Sequence, residues 1–181
     1  MEVFVGVENI QRSLKNPVLT IGNFDGVHRG HQALFQKARE WASEVGGESV
    51  VLTFNPHPLQ VLAPEQGLLF ITPHERKLEL IALSGIDVAI VVPFSTEFAR
   101  ISAADFVKLL LVDRIGPRAI VVGEGYRFGC GREGDTHYLQ QMGNRYGFKV
   151  ATISGVQLDG TMVSSTLIRQ LIQEGNLRAG L

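Results

Sequence analysis

Five short runs of apolar, mostly β-branched residues recur along the chain, and segments with helical spacing separate them. The runs are continuous rather than alternating, which is typical of strands in a parallel sheet that is covered on both faces. The predicted strands cover residues 18–22, 49–54, 88–94, 119–123 and 149–154.

The segments between these runs carry helix start and stop signals. Thr72-Pro73-His74-Glu75 predicts a capping box with proline at the first helical position. Ser102 and Thr136 are predicted caps of two further helices, and Ser164 or Ser165 is the predicted cap of the last one. The predicted helices cover residues 31–45, 72–85, 102–112, 136–147 and 164–175, and residues 158–161 predict a hairpin turn.

This alternation predicts an α/β fold. We expect a doubly wound, mainly parallel five-stranded sheet with helices on both faces, and a single domain over residues 1–181. The composition agrees with a packed domain, because 45% of the 181 residues are hydrophobic and 19% are charged.

Charge and cysteine content narrow the class of protein. The net charge of −1 and the lack of a long basic block argue against a large nucleic-acid-binding face. The single cysteine, Cys130, cannot form an internal disulfide. Neither a signal peptide nor an apolar run of about 20 residues is present. We therefore expect a cytoplasmic protein with no nucleic-acid or membrane partner.

The loop after the first predicted strand, GNFDGVHRGH at residues 22–31, concentrates the candidate chemistry. In an open parallel sheet, ligands bind beyond the carboxyl ends of the strands, and the start of the next helix offers N–H groups to an anion. His28 and His31 can face the same side of a helical turn, and Gly30 lets a phosphate approach the backbone. The loop is neither a P-loop nor a dinucleotide fingerprint. A glycine-rich turn with incidental histidines is the alternative.

This loop resembles the signature of the HxGH nucleotidyltransferase superfamily, and His28-Arg29-Gly30-His31 matches that motif in full. Over residues 22–31 the chain resembles the FMN adenylyltransferase module of bacterial bifunctional riboflavin kinase/FAD synthetases. The resemblance implies the Rossmann-like fold of that superfamily. It also implies that both histidines contact the phosphates of ATP while pyrophosphate leaves, with no covalent enzyme intermediate.

The segment after the second predicted strand contains Asn55-Pro56-His57-Pro58. Its prolines stiffen the loop around the histidine, and the asparagine offers both a donor and an acceptor. An ordinary proline-rich loop is the alternative interpretation. The four residues resemble the second motif of the family, which implies that Asn55, Pro56, His57 and Pro58 lie near the flavin.

A glycine-rich segment, residues 122–135, follows the fourth predicted strand, and its glycine spacing does not fit a dinucleotide-binding turn. Tyr126, Arg127 and Phe128 can stack on or border a flat ring. The family usually has Gly-x-Asp-Phe-x-Phe-Gly here, whereas this chain has Gly125 and Tyr126 in place of the Asp-Phe pair. The resemblance implies a flavin contact, and it leaves open whether Glu124 replaces the missing carboxylate.

The last motif is VSSTLIRQLI at residues 163–172. Ser164, Ser165 and Thr166 lie at a helix start, where hydroxyl and N–H groups can bind phosphate, and Arg169 follows one turn later. A capped helix with a surface arginine is the alternative. The segment resembles the Ser-Ser-Thr-x-x-Arg motif of the superfamily, which implies contacts with the ATP phosphates.

Together the motifs imply that FMN and ATP give FAD and pyrophosphate by direct in-line attack of the FMN phosphate. The implied catalytic residues are His28, His31 and Arg169. The implied ATP-binding residues are Gly22, Asn23, Phe24, Asp25, Gly30, Ser164, Ser165 and Thr166. The implied FMN-binding residues are Asn55, Pro56, His57, Pro58, Tyr126, Arg127 and Phe128. Mg²⁺ is expected to accompany ATP, and no metal ligand is predicted.

The family usually continues into a C-terminal riboflavin kinase domain, which is not expected within residues 1–181. Two alternatives stay open. The first is an HxGH enzyme with another phosphorylated cofactor precursor as acceptor. The second is a non-catalytic flavin- or nucleotide-binding module, which the altered pair Gly125-Tyr126 keeps open.

Overall fold

A six-stranded parallel sheet forms the centre of the structure, a computed structural model that describes residues 1–67, 69–158 and 160–176. Its strands are β1 (Glu2–Val5), β2 (Val18–Ile21), β3 (Ser49–Asn55), β4 (Val88–Pro93), β5 (Ala119–Gly123) and β6 (Lys149–Ile153). The helices are α1 (Arg29–Glu44), α2 (Pro58–Leu62), α3 (His74–Leu83), α4 (Ala103–Asp105, continued as a π-type helix over Phe106–Ile115), α5 (Thr136–Tyr146) and α6 (Ser165–Gln173). Short 3₁₀ turns cover Val7–Asn9, Pro64–Gln66, Phe98–Arg100 and Cys130–Arg132.

The predicted doubly wound α/β sheet is confirmed, with one strand more than the five predicted. The strand order is β1-β4-β3-β2-β5-β6, and every neighbouring pair is parallel. The missed strand, β1, pairs only with β4 at the edge of the sheet. Phe4 is its one buried side chain, while Val3 and Val5 are exposed. An edge strand with a single inward residue has no continuous buried run, so the apolar pattern did not indicate it.

Helices cover both faces of the sheet, as predicted. Along β3, Val50 points into a cluster formed with α4 and α5, and Val51 points into a second cluster formed with α1 and α3. Neighbouring residues of a strand face opposite sides, so each inner strand contributes apolar side chains to both clusters. This explains the continuous apolar runs from which the sheet was predicted.

Of the four predicted helix caps, two are correct and two are wrong. The Ser102 side chain caps α4, and the Ser164 side chain caps α6. The cap of α5 is Asp135 rather than Thr136. The capping box predicted at Thr72 does not form, because Pro73 occupies the N-cap position of α3 and the Thr72 hydroxyl is bonded elsewhere.

The topology places a crevice above β2. From β2 the chain adds β3 and β4 on one side and β5 and β6 on the other, so the strand order reverses beside β2. Ligands of open parallel sheets bind at such a switch point. The loops after β2 and β5 flank it, and the loop after β3 lies next to the first of them.

A short hairpin precedes α6. Its strands, β7 (Gln157–Leu158) and β8 (Thr161–Met162), pair antiparallel. The turn predicted over residues 158–161 includes Asp159, which lies outside the described residues. Within the described part of the chain, no helix is long and apolar enough to cross a bilayer.

Candidate active site

The loop between β2 and α1 has an unusual backbone. Phe24 and Val27 have φ values of 53° and 41°, in the left-handed region that side-chain-bearing residues seldom adopt. Such strain persists only where the surroundings enforce it, and it concentrates at functional sites. The Phe24 ring is 1% exposed and packs edge-on against Phe35, with centroids 4.9 Å apart. Because the ring belongs to the core, it is not available to a ligand.

His28 and His31 lie side by side at the start of α1. Their rings are stacked, with centroids 3.6 Å apart and planes at 23°. The rings of Phe24 and His31 are nearly perpendicular, with centroids 5.2 Å apart. A Cβ atom at Gly30 would lie 3.1 Å from the His28 ring. The lack of a side chain at Gly30 therefore makes room for the His28 ring, and the approach of a phosphate to the Gly30 backbone stays a prediction.

Burial disfavours the charged form of both imidazoles. Burial lowers the pKa of His31 to about 2, and repulsion from a protonated His28 and from the Lys77 ammonium group acts in the same direction. Burial also lowers the pKa of His28, while the charge of Asp25 opposes the shift. The Nδ1 atoms of both rings are buried and make no hydrogen bond to any described residue. Because the Nδ1 atoms are buried, an anion at this loop would be contacted by the other ring nitrogen, Nε2, of each histidine.

Asp25 connects the loop to two distant segments. Its carboxylate is 3% exposed and accepts hydrogen bonds from the main-chain N–H groups of Ile71 and Thr72, at 3.1 Å and 3.0 Å. It also accepts a hydrogen bond from Arg169, with Nη2 and Oδ2 2.7 Å apart. The Ser165 hydroxyl donates to the main-chain carbonyl of Asp25 at 2.9 Å. Asp25 was predicted to bind ATP, and in the structure it anchors α6 and the segment before α3.

The start of α6 therefore lies against the histidine loop. Ser164 caps the helix by accepting from the N–H of Leu167, and Ser165 contacts the loop directly. Thr166 is exposed. The Arg169 side chain is 15% exposed, and its Nε donates to the carbonyl of Leu69 at 3.0 Å. Its Nη1 makes no hydrogen bond within the described residues, so that end of the guanidinium can still donate to an anion.

The loop after β3 is organised by His57. The His57 side chain caps α2, since Nδ1 accepts from the N–H of Leu59 at 3.1 Å and Gln60 returns a bond to the His57 N–H. Burial lowers the pKa of His57 to about 4, and the nearby charge of Arg169 contributes. Pro58 is the first residue of α2. His57, which is predicted to contact the flavin, is thus a neutral side chain that fixes the local backbone.

Exposed and aromatic residues surround the end of β3. Asn55 and Pro56 are exposed. Phe54, Phe94 and Phe98 form a group with ring centroids 5.6 Å to 5.9 Å apart, and all three are only partly buried. We did not predict this group. The sequence contains one indication of this group. Phe54 and Phe94 are the last residues of two predicted strands, and the carboxyl ends of strands lie at the same edge of a parallel sheet.

The loop after β5 holds the three remaining predicted flavin residues in different environments. Phe128 is 7% exposed and packs against Phe106, with centroids 5.4 Å apart, within the α4 and α5 cluster. Tyr126 stacks on Phe128 at 5.4 Å and 19° and is partly exposed. Arg127 is exposed and lies 3.5 Å from Asp135. Arg127 and part of Tyr126 are therefore accessible to a ligand, and Phe128 packs against the Tyr126 ring.

The residues that depart from the family pattern lie at the start of this loop. A Cβ atom at Gly125 would meet no atom within 4 Å, and the φ of Gly125 is not positive. Nothing in the backbone therefore requires glycine there. Glu124 accepts a hydrogen bond from the Ser154 hydroxyl at 2.6 Å, which directs its carboxylate toward the end of β6.

Lys77 on α3 is a further residue that we did not predict. It is 7% exposed, and its ammonium group lies under the loops after β2 and β3. Its signal in the sequence is weak but readable, because Lys77 falls four residues before the buried Ile81 on the inward stripe of its helix. A lysine on such a stripe is exceptional.

The structure thus brings together the histidine loop, Ser165, Arg169 and the segment before α3, with Asp25 as their common partner. Among the described residues, no hydrogen bond or aromatic contact joins His28 or His31 to Tyr126, Arg127 or Phe128. In the same part of the chain, no group of three or more His, Cys, Asp or Glu side chains is arranged to hold a metal ion.

The parallel sheet with a histidine loop at its switch point defines the class as a doubly wound, Rossmann-like α/β protein. The chain belongs to the FAD synthetase family, whose model matches residues 10–167. The fold is also that of pantoate-β-alanine ligase from Francisella tularensis, with a TM-score of 0.63 and 16% identity over 98% of this chain and 77% of that chain.

Relatives with higher identity are longer proteins. The chain is 38% identical over 178 residues to the bifunctional riboflavin kinase/FMN adenylyltransferase of Escherichia coli K12, a match that covers 98% of this chain and 57% of the relative. The relative of the same name from Pseudomonas fluorescens is 38% identical over 95% of this chain and 55% of its own length. The chain therefore spans little more than half the length of these relatives.

A solved structure from Streptococcus pneumoniae, described as a macrolide-efflux protein, has a TM-score of 0.87 and 28% identity to this chain. The match covers 99% of this chain and 60% of that chain.

Proposed function

We propose that this chain transfers the adenylyl group of ATP to the phosphate of FMN, giving FAD and pyrophosphate. The observation that carries the proposal is the convergence of the histidine loop and Arg169 on Asp25, which assembles cationic and N–H donors at the start of α1. Membership of the FAD synthetase family and the printed names of the relatives support the same reaction.

The ATP phosphates are proposed to lie over the first turn of α1, where main-chain N–H groups and the helix dipole favour an anion. His28 and His31 donate hydrogen bonds to these phosphates. Arg169 is oriented by Asp25 and Leu69 and donates through Nη1. Ser164, Ser165 and Thr166 lie at the adjoining helix start, and the Thr166 hydroxyl is the most accessible of the three.

The reaction itself needs little covalent chemistry from the protein. A phosphate oxygen of FMN attacks the α-phosphorus of ATP in line, a new P–O bond forms, and the bond to the β-phosphate breaks. The FMN phosphate is already ionised at neutral pH, so no general base is required. Catalysis then consists of positioning both phosphates and stabilising the charge that develops on pyrophosphate.

The flavin is proposed to lie beyond the ends of β3 and β5. Asn55 and Pro56 are exposed at the first of these ends, and Tyr126 and Arg127 are accessible at the second. The adjoining aromatic group of Phe54, Phe94 and Phe98 suits a flat ring. His57 and Phe128 act by holding these loops in place, through the cap of α2 and through core packing.

Three further features belong to the same proposal. Mg²⁺ enters as part of the ATP substrate, coordinated chiefly by phosphates and water, as this ion prefers. ATP and FMN are the proposed partners, and the cytoplasm is the proposed location. The riboflavin kinase activity in the relatives' names is not proposed for residues 1–181.

The deciding experiment is incubation of the chain with FMN, ATP and Mg²⁺, with chromatographic detection of FAD and a coupled assay for pyrophosphate. We expect equal amounts of both products. FMN binding without release of pyrophosphate would instead identify a flavin-binding module. Turnover of ATP with another phosphorylated cofactor precursor, but not with FMN, would identify a different acceptor.

A further inference from the structure

Lys77 occupies the point where two neighbouring strands separate. β2 and β3 are in register up to the pair Ile21 and Leu52, and the N–H of Gly22 still bonds to the carbonyl of Leu52 at 3.1 Å. Beyond that pair, β2 turns into the histidine loop and β3 continues to Asn55. Lys77 enters this fork from α3 below.

The ammonium group joins both branches of the fork. Nζ donates to the carbonyl of Asn23 on the first branch at 3.2 Å, and to the hydroxyl of Thr53 and the carbonyl of Phe54 on the second at 3.1 Å and 3.2 Å. The Thr53 hydroxyl in turn donates a hydrogen bond to the carbonyl of Asn23 at 3.2 Å, which also joins the two branches. An ammonium group has three N–H donors, so the three acceptors match it completely.

Burying the Lys77 ammonium group at this position is energetically unfavourable. It is 7% exposed, and among the described residues it forms no ion pair with any carboxylate. Burial lowers its pKa to about 8, and the charge of Asp25 opposes only part of the shift. An apolar side chain would avoid this desolvation, because burying an unpaired charge is unfavourable. Groups retained at such a cost concentrate at functional sites.

The anchoring of α3 gives the lysine a fixed base. The segment just before α3 is bound to Asp25 through the N–H of Thr72, and the Thr72 hydroxyl accepts from the N–H of Gly26. α3 is thus attached to the histidine loop at its start, and it reaches the same loop again through Lys77 one turn later. A helix held at two points can set the position of the loop relative to β3.

We propose that Lys77 is a positioning residue for adenylyl transfer: by binding Asn23, Thr53 and Phe54 together, it holds the nucleotide loop and the acceptor loop at the separation that in-line attack requires. This inference rests on the function proposed above. It assigns Lys77 no contact with either substrate. Its effect is expected on turnover with both substrates bound, more than on the binding of either one.

The first test compares Lys77→Met with Lys37→Met. Methionine has a similar length without the N–H donors, and Lys37 is a partly exposed lysine on α1 that contacts Glu40. We expect kcat of Lys77→Met to fall about tenfold or more while both KM values change by about threefold or less, because misplacement affects the reacting geometry. Lys37→Met is expected to retain wild-type kcat. A kcat of Lys77→Met within twofold of wild type overturns the proposal, provided that circular dichroism shows a folded protein.

A second variant covers the case in which Lys77→Met does not fold. Thr53→Val keeps the shape of the side chain and removes one acceptor of Lys77 together with the bond to Asn23. We expect a smaller loss of kcat, about threefold, and no further loss when Thr53→Val is added to a folded Lys77→Met. Wild-type kcat in Thr53→Val, or fully additive losses in the double variant, contradict a shared positioning role.

Amide hydrogen exchange separates this inference from the proposed reaction. In Lys77→Met, the amides of residues 22–28 and those of Phe54, Asn55 and His57 should exchange about tenfold faster, while β5 and α5 are unchanged. If the wild-type chain makes no FAD, the proposed reaction fails, and the exchange of the two loops still reports whether Lys77 joins them. If FAD forms but both loops keep wild-type exchange, the reaction stands and the role of Lys77 is wrong.

Discussion

Arg169 and Asp25 are 144 residues apart in the chain, and their side chains meet with Nη2 and Oδ2 2.7 Å apart. The Asp25 carboxylate also accepts hydrogen bonds from the main-chain N–H groups of Ile71 and Thr72. This contact fixes the plane of the guanidinium before any ligand is present. Preorganised donors of this kind need little rearrangement when charge develops on a phosphate, and this is the main source of their catalytic effect.

Arg169→Lys is expected to raise the KM for ATP about tenfold, although it keeps the positive charge. A lysine ammonium cannot hold Asp25 and the carbonyl of Leu69 in one plane and still present a fixed donor to a phosphate. Steady-state kinetics with varied ATP measure the change. Arg76→Lys is the control, since Arg76 pairs with Glu79 on the exposed side of α3. Unchanged kinetics in Arg169→Lys would refute a phosphate role for the guanidinium.

His31→Ala is expected to reduce the rate of FAD formation about 100-fold, the scale found when one preorganised donor is removed from an active site. The matched control is His137→Ala, because His137 lies exposed on α5. FAD is measured by chromatography at saturating ATP and FMN, and far-UV circular dichroism checks the fold. A His31→Ala variant that forms FAD at nearly the wild-type rate excludes the assignment.

The two halves of the site differ in how far they could be predicted. The histidine loop and the Ser164–Thr166 start of α6 are contiguous motifs at element boundaries, so local patterns indicated their position in the fold, and the chemistry assigned to them stays a prediction. The partner of Arg169 could not be predicted, because the contact with Asp25 depends on how α6 returns to the sheet. For Phe24 and Phe128, the sequence indicated the residues but not the direction in which their rings point. A motif names the residue, but only the packing of the core decides that its ring faces inward.

The pH dependence of stability follows from the buried His31. Its pKa is lowered to about 2 in the folded chain, chiefly by burial, from the value of 6.5 for a free imidazole. Between these values the unfolded chain binds a proton that the folded chain does not, so stability is lost as the pH falls through this window. From pH 7 to pH 5, this group alone lowers the free energy of unfolding by about 2 kcal/mol.

Urea unfolding at pH 7 and pH 5 checks this, with His31→Gln as the comparison. The variant should lose less stability than wild type over the same interval, because glutamine does not titrate. The lowered pKa of His57 adds a loss of the same sign, which both proteins share. Equal losses in the two proteins would show that His31 is not buried as a neutral side chain.

Gly125→Asp restores the carboxylate that the family usually carries at this position, and the fold should accept it. No atom lies within 4 Å of the added Cβ, so the free energy of unfolding should change by less than about 0.5 kcal/mol. If the carboxylate reaches the flavin, the KM for FMN should fall about fivefold, the equivalent of one hydrogen bond.

Gly129→Asp is the opposite case, because φ is +76° and its Cβ would lie 2.6 Å from the Ala103 nitrogen. It should destabilise the fold by about 2 kcal/mol or more. An unchanged KM for FMN in a stable Gly125→Asp variant would mean that the loop after β5 recognises the acceptor without a carboxylate at this position.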